Sequence, residues 1–185
     1  MSENEEDKKS VKVLYLDIDG VLNSQESMRS KYEEERPYND NPTIENLKRL
    51  ERIIAETGCC IVISSTWRKS FRYYDLANLF YAIGMDLEST CRIVDQTPVL
   101  NNNCRGDEIL VHILGINNGD KNYHQFKDER INKICILDDD SDMGFLQKYH
   151  ISVSNEIGLT DKNVDDVIAM LNSEETLGEL TIKLF

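Results

Sequence analysis

The sequence predicts an α/β domain with a mainly parallel sheet flanked by helices. Three observations carry that prediction. Short apolar runs rich in β-formers recur at Val11–Leu16, Cys60–Ile63 and Lys133–Leu137, and read as strands buried on both faces. Between them lie stretches with apolar residues at helical spacing. The runs also stop abruptly in polar groups, at Asp17-Ile18-Asp19-Gly20, Ser64-Ser65-Thr66 and Asp138-Asp139-Asp140, which a parallel sheet would gather along one edge.

Taken in order, residues 1–10 are acidic and polar and are expected to be a disordered tail. The first strand ends at Asp17. Residues 20–42 form a charged stretch without a clear apolar face, bracketed at its exit by Pro37 and Pro42, and read as a small cap-like insertion. Thr43 is placed to cap a helix whose apolar face is Ile44, Leu47, Leu50, Ile53 and Ile54, with Gly58 to stop it. Cys60–Ile63 is the second strand. Residues 71–83 give a second helix, with Leu76, Leu79, Phe80 and Ile83 on one side and Phe71 counted in the core.

Residues 91–95 read as a third strand, ended by Gln96-Thr97-Pro98. Arg105-Gly106-Asp107-Glu108 opens a helix carried by Ile109, Leu110, Ile113 and Leu114 and closed by Gly115. A polar loop over 116–130 leads to the strand at Lys133–Leu137, followed by an edge strand at 151–153 and a helix over 161–171. Residues 173–185 carry no clear signal. The domain therefore spans 11–172 as a single unit, a size able to bury a substantial core.

Composition narrows the function classes. The chain has 185 residues and a formal net charge of −13, which argues against broad binding to nucleic-acid backbones or anionic membranes. No apolar run reaches the roughly 20 residues that cross a bilayer. The polar N-terminus lacks the apolar core of a signal peptide, so a cytoplasmic location is expected. The five cysteines show no metal-ligand spacing and fit a reducing compartment. His112, His124 and His150 stand in no motif and read as surface or satisfied core histidines.

The chemistry lies in the strand ends. Asp17 and Asp19, two apart on an extended chain, point to one side and would hold a cation between or beside them. A plain Asp-Gly turn accounts for them equally well. Asp138 and Asp139 weigh the balance, provided the strands converge. Two carboxylates about 4 Å apart repel by roughly 4 kcal/mol at an effective dielectric near 20. Four on one edge would be costly without a divalent ion. Trp67 to Tyr74 is the densest basic and aromatic cluster, and aromatics stack bases while Arg holds phosphates.

Those three strand ends, in that order, resemble the haloacid dehalogenase (HAD) superfamily of phosphohydrolases over roughly residues 11–153. DIDGVLN at 17–23 carries most of the resemblance. IVISSTWR at 61–68 and ILDDDSDM at 136–143 are similar to the HAD domains of "Swiss Army Knife" RNA-repair proteins and their stand-alone relatives. The resemblance implies a HAD-like Rossmannoid fold with a minimal cap. It also implies Mg²⁺-dependent phosphomonoester hydrolysis, with Asp17 as nucleophile and Asp19 as general acid/base.

By the same resemblance Ser64 hydrogen-bonds the phosphoryl group, with Ser65 as the alternative, while Gly20 lines the substrate site. Asp139 or its neighbour Asp138 joins Asp17 and the Asp19 carbonyl around the metal, with Asp142 a third possibility. The family lysine is missing at the start of the helix before the acidic strand. Arg105 stands there instead, and Lys127 and Lys133 are runners-up. Arg68 is expected to contact the substrate phosphate. The implied substrate is a nucleotide, a nucleic-acid end or a phosphoprotein. The alternative is a weakly catalytic module that binds phosphate and metal.

Overall fold

The computed structural model describes residues 8–33, 41–101 and 104–177. Five parallel strands form one sheet: β1 (Lys9–Leu16), β2 (Cys60–Ile63), β3 (Ile93–Gln96), β4 (Glu129–Asp138) and β5 (His150–Ser152). Their spatial order is β3-β2-β1-β4-β5, so β1 lies at the centre. The chain builds outward from β1 to β3, then crosses back to place β4 on the other side of β1. Strand order thus reverses between β1 and β4, and the crevice at their carboxyl ends is where such sheets bind ligands.

Alternation along β1 divides the core in two. Leu14 and Leu16 face a layer made by α2 (Ile44–Thr57), α3 (Tyr73–Ile83) and α6 (Asp161–Asn172), through Leu47, Leu50, Phe80 and Val164. Val13 and Tyr15 face α5 (Arg105–Asn117), through Ile109, Ile113 and Ile116. Both faces of the strand are therefore covered. That is why β1 reads as a continuous apolar run instead of an alternating one.

The fold class and the order of elements follow the sequence reading, with local differences. Thr43 caps α2 by accepting from the Asn46 N–H, and Gly58 ends it in the left-handed region. Ile44, counted on the apolar face, is half exposed in the first turn. The predicted helix over 71–83 starts late. A 3₁₀ turn at Thr66–Lys69 is followed by Phe71 N–H donating to the Trp67 carbonyl, so α3 begins at Tyr73 and Phe71 is left exposed instead of entering the core. A short helix, α4 (Leu87–Thr90), capped by Asp86, precedes β3 and gave no sequence signal.

α5 runs on to Asn117, because Gly115 does not stop it. A Cβ at position 115 would strike the Tyr123 ring, so this glycine makes room for a neighbour. The segment read as a loop over 116–130 contains a 3₁₀ stretch at Lys121–Phe126 that buries Phe126, and β4 already begins at Glu129.

The stretch read as a polar excursion begins inside the domain. Val21, Leu22, Asn23 and Ser24 are buried, and the Asn46 side chain donates to the carbonyls of Val21 and Leu22. α1 (Gln25–Glu33) follows, and residues 34–40 of the predicted insertion lie outside the described residues. Of the predicted N-terminal tail, residues 1–7 also lie outside them, whereas Lys9 and Ser10 already belong to β1. Residues 178–185 of the C-terminal segment are not described either, but Leu177 is buried and its N–H donates to the Asn132 carbonyl. Among the described residues, no helix is long and apolar enough to cross a membrane.

Candidate active site

Backbone pairing brings the polar strand ends together. Leu16 lies opposite both Ile63 of β2 and Leu137 of β4. Asp17 N–H donates to the Leu137 carbonyl at 3.0 Å, and Ser64 N–H to the Leu16 carbonyl at 2.8 Å. The residues after these positions therefore open onto one hollow. Carboxylate oxygens of Asp17, Asp138 and Asp139 all lie within 4.8 Å of one another. Asp17 and Asp138 are buried and Asp139 is half-buried.

Arg105, at the first position of α5, is the cation of this cluster. Its Nη2 lies 3.3 Å from Asp17 Oδ2 and its Nε 3.5 Å from Asp138 Oδ2. Neither contact is short, and Nη1 is buried without a hydrogen-bond partner among the described residues. One guanidinium thus serves two carboxylates poorly. Burial and the Asp17 charge push the Asp138 carboxyl up to about 7, with Arg105 pulling against them. Asp17 is raised too, chiefly by burial, while Arg105, the Ser65 hydroxyl and the Ile18 N–H oppose the rise. Asp139 is raised by burial and by Asp17.

This donor set fits a hard divalent cation. It is all oxygen, carries excess negative charge, and includes one carboxylate atom, Asp138 Oδ2, that is buried without a hydrogen bond. The other oxygen of Asp138 accepts from the Asp140 N–H at 2.9 Å. Asp142, the third possibility from sequence, stands apart. It is exposed, and its carbonyl accepts from the Gly106 N–H of α5.

Asp19 occupies a different wall of the hollow. Its Oδ1 accepts from Asn23 Nδ2 and its Oδ2 from Trp67 Nε1, both at 2.9 Å. Donors on both oxygens fix the orientation of the carboxylate. Asn23 also accepts from the Gly20 N–H at 2.9 Å, so the side chain that orients Asp19 holds the turn as well. Gly20 has a φ of +71°, and a Cβ there would overlap the Asp139 carboxylate. Its absence lets the β1 and β4 loops close on one another.

The two serines differ. The Ser65 hydroxyl reaches Asp17 and accepts from the Trp67 N–H. The Ser64 hydroxyl is buried and has no hydrogen-bond partner among the described residues. Arg68, expected to contact a substrate phosphate, is turned inward. Its guanidinium is buried, paired with Glu108 of α5 and donating to the Ser65 carbonyl. The 3₁₀ turn that exposes Phe71 is what rotates it away from solvent. Lys133 donates to the Ser173 carbonyl and Lys127 precedes the start of β4, so both lie away from the carboxylates.

Asn23 has no role in the sequence reading, and Trp67 enters it only as a member of the basic and aromatic cluster, not as a partner of Asp19. Their position just after a strand end was the available signal. His112 is a satisfied core histidine, placed between the Tyr15 hydroxyl and Asp95. Among the described residues, no cysteine forms a disulfide.

The family described as "HAD domain in Swiss Army Knife RNA repair proteins" matches residues 13–164, from β1 into α6. The chain belongs to this family. The match takes in all three acidic and hydroxylic strand ends and Arg105. Membership of this HAD family points to phosphatase-type hydrolase chemistry, and a buried aspartate cluster able to hold a metal accords with it. No curated protein and no solved structure matches the chain.

Proposed function

We propose that this HAD domain is a Mg²⁺-dependent phosphomonoester hydrolase working through an aspartyl phosphate on Asp17. The observation that carries the reading is the meeting of Asp17, Asp138, Asp139 and Arg105 at the point where strand order reverses. A purely structural acidic cluster would be expected to satisfy its buried oxygens, whereas Asp138 Oδ2 has only the long 3.5 Å ion pair with Arg105 Nε and no hydrogen bond among the described residues.

The Asp17 carboxylate attacks phosphorus, forming a P–O bond as the bond to the leaving oxygen breaks. Asp19 gives its proton to that oxygen, and in the second step takes one from the water that displaces Asp17 and yields inorganic phosphate. Asn23 and Trp67 hold Asp19 still for both transfers. Arg105 offers its unspent Nη1 to a phosphoryl oxygen, replacing the family lysine. Ser65 steadies Asp17, and the Ser64 hydroxyl is a second donor in reserve. The carboxylates of Asp17, Asp138 and Asp139, with the Asp19 carbonyl, would hold Mg²⁺. When bound, the ion offsets the negative charge of the carboxylates and the phosphoryl oxygens.

The family's description names RNA repair proteins, which supports a nucleic-acid end among the substrate classes, beside a nucleotide or a phosphoprotein. The test is release of inorganic phosphate from a generic aryl phosphate, with and without Mg²⁺. Magnesium-dependent release, lost in Asp17→Asn but kept in Asp166→Asn on the surface of α6, is the expected result. Magnesium binding without release from any ester would overturn the reading in favour of a binding module.

A further inference from the structure

A hollow of about 890 Å³ opens beside Asp19, and its lining does not include Asp17, Asp138 or Asp139. Trp67, Phe71, Leu76 and Leu79 give its apolar lining, and Asn41, Thr66, Ser70 and Asp75 add polar groups. The Trp67 and Phe71 rings stand 6.1 Å apart with planes tilted by 43°. Phe71 is 49% exposed, held out of the core by the 3₁₀ turn before α3. A large aromatic side chain kept in water at the rim of a catalytic hollow forfeits burial that the fold otherwise makes.

Two arguments identify the occupant. Asp19, as the acid that protonates the leaving oxygen, must face the leaving group, and the same residue lines this hollow. What fills the hollow is therefore the alcohol part of the ester, not its phosphate. The volume is in the range of sites that enclose whole small molecules. Tilted aromatic walls favour a planar ring. The polar groups of Ser70 and Asp75 suit a ring whose edge both donates and accepts.

We infer that Trp67 and Phe71 form a leaving-group subsite that takes the base of a base-bearing phosphomonoester. The inference rests on the phosphatase reading and deepens it. The shared chemistry is a nucleoside phosphate, either free or at the end of an oligonucleotide. Lys69 and Arg72, exposed on either side of Phe71 in the chain, would add contacts for the oligonucleotide.

Trp67 is the chain's one tryptophan, so its fluorescence reports on the hollow directly. The full chain carrying Asp17→Asn is titrated, with Mg²⁺ present, with adenosine 5′-phosphate, adenosine 3′-phosphate, a short oligonucleotide phosphorylated at either end, phosphotyrosine and ribose 5-phosphate. Quenching by the base-bearing esters and not by ribose 5-phosphate is expected. Phe71→Ala should weaken their binding about tenfold, the scale of one base–aromatic stack. Tyr81→Ala, an exposed aromatic of α3 outside the hollow, should match the parent.

In the active enzyme, kcat/KM for the better adenosine phosphate should exceed that for ribose 5-phosphate by at least about tenfold. That ratio should collapse in Phe71→Ala. Tighter binding of the oligonucleotide, lost on Lys69→Ala with Arg72→Ala, assigns a strand end; equal binding assigns the free nucleotide. Equal binding of ribose 5-phosphate, equal or tighter binding of phosphotyrosine, or a ratio indifferent to Phe71 would overturn the inference while leaving the phosphatase intact. Phe71-dependent quenching with no phosphate released from any ester would keep the base-binding hollow and overturn the phosphatase.

Discussion

Trp67 donates its indole N–H to Asp19 Oδ2 at 2.9 Å, joining the end of β2 to the turn that follows β1. The bond spans the hollow's rim and fixes one oxygen of the proposed general acid. Trp67→Phe keeps a ring and removes the donor. Its kcat should fall roughly tenfold on every ester, with KM little changed, as a misplaced acid costs part of the 10²–10⁴ such catalysis supplies. Phe71→Ala should do the reverse, raising KM on base-bearing esters alone. Steady-state kinetics on two substrates separate the two.

Arg105 touches both Asp17 and Asp138 through long contacts, and its replacement tests whether charge or shape matters. Arg105→Lys should retain measurable turnover, since a lysine keeps the positive charge beside Asp17 and Asp138. Arg105→Ala should lower kcat/KM by about 10²-fold or more, on the scale of losing one preorganised donor to the transition state. Initial rates of phosphate release decide the matter.

The crowded carboxylates make a prediction about stability. Without divalent ions, Asp138→Asn removes one buried charge from the cluster, and its melting temperature should lie above the parent's. Adding Mg²⁺ should raise the parent's melting temperature, by about 2.7 kcal/mol of stability at a hundredfold excess over Kd. The variant should respond weakly or not at all. Thermal denaturation with EDTA and with Mg²⁺ shows both effects.

The inward turn of Arg68 distinguishes a structural from a substrate role. Arg68→Ala leaves Glu108 as an uncompensated buried carboxylate, which typically costs about 3–5 kcal/mol. The loss should appear in urea denaturation, and Arg68→Ala with Glu108→Ala should recover part of it. A phosphate-binding residue would instead raise KM at unchanged stability.

Much of this architecture was legible in the sequence because burial on both faces of a parallel strand leaves an unbroken apolar run. Val11–Leu16 and Cys60–Ile63 announced themselves in that way, and the polar residues after them marked the edge where the site lies. Thr43 and Gly58 bounded α2 because capping is local chemistry. What local chemistry does not encode is rotation. Helical periodicity carried back through Arg72 placed Phe71 in the core, but a 3₁₀ turn has a different pitch. It sends Arg68 in and leaves Phe71 out. Likewise Gly115 resembled a stop until Tyr123, contributed by a separate segment, was seen to occupy its empty side. The register among Asp138, Asp139 and Asp142 needed the strand pairing as well.

The reversal of strand order at β1 has a consequence for biosynthesis. Asp17 leaves the ribosome early, while Asp138 and Asp139 arrive only when most of the domain has been made. A nascent chain ending before β4 already holds Asp17, Asp19, Ser65 and Arg105 but lacks Asp138 and Asp139, so the proposed metal site is completed only late in synthesis. The ion that the finished cluster would bind then also acts as a clasp between the first and fourth strands.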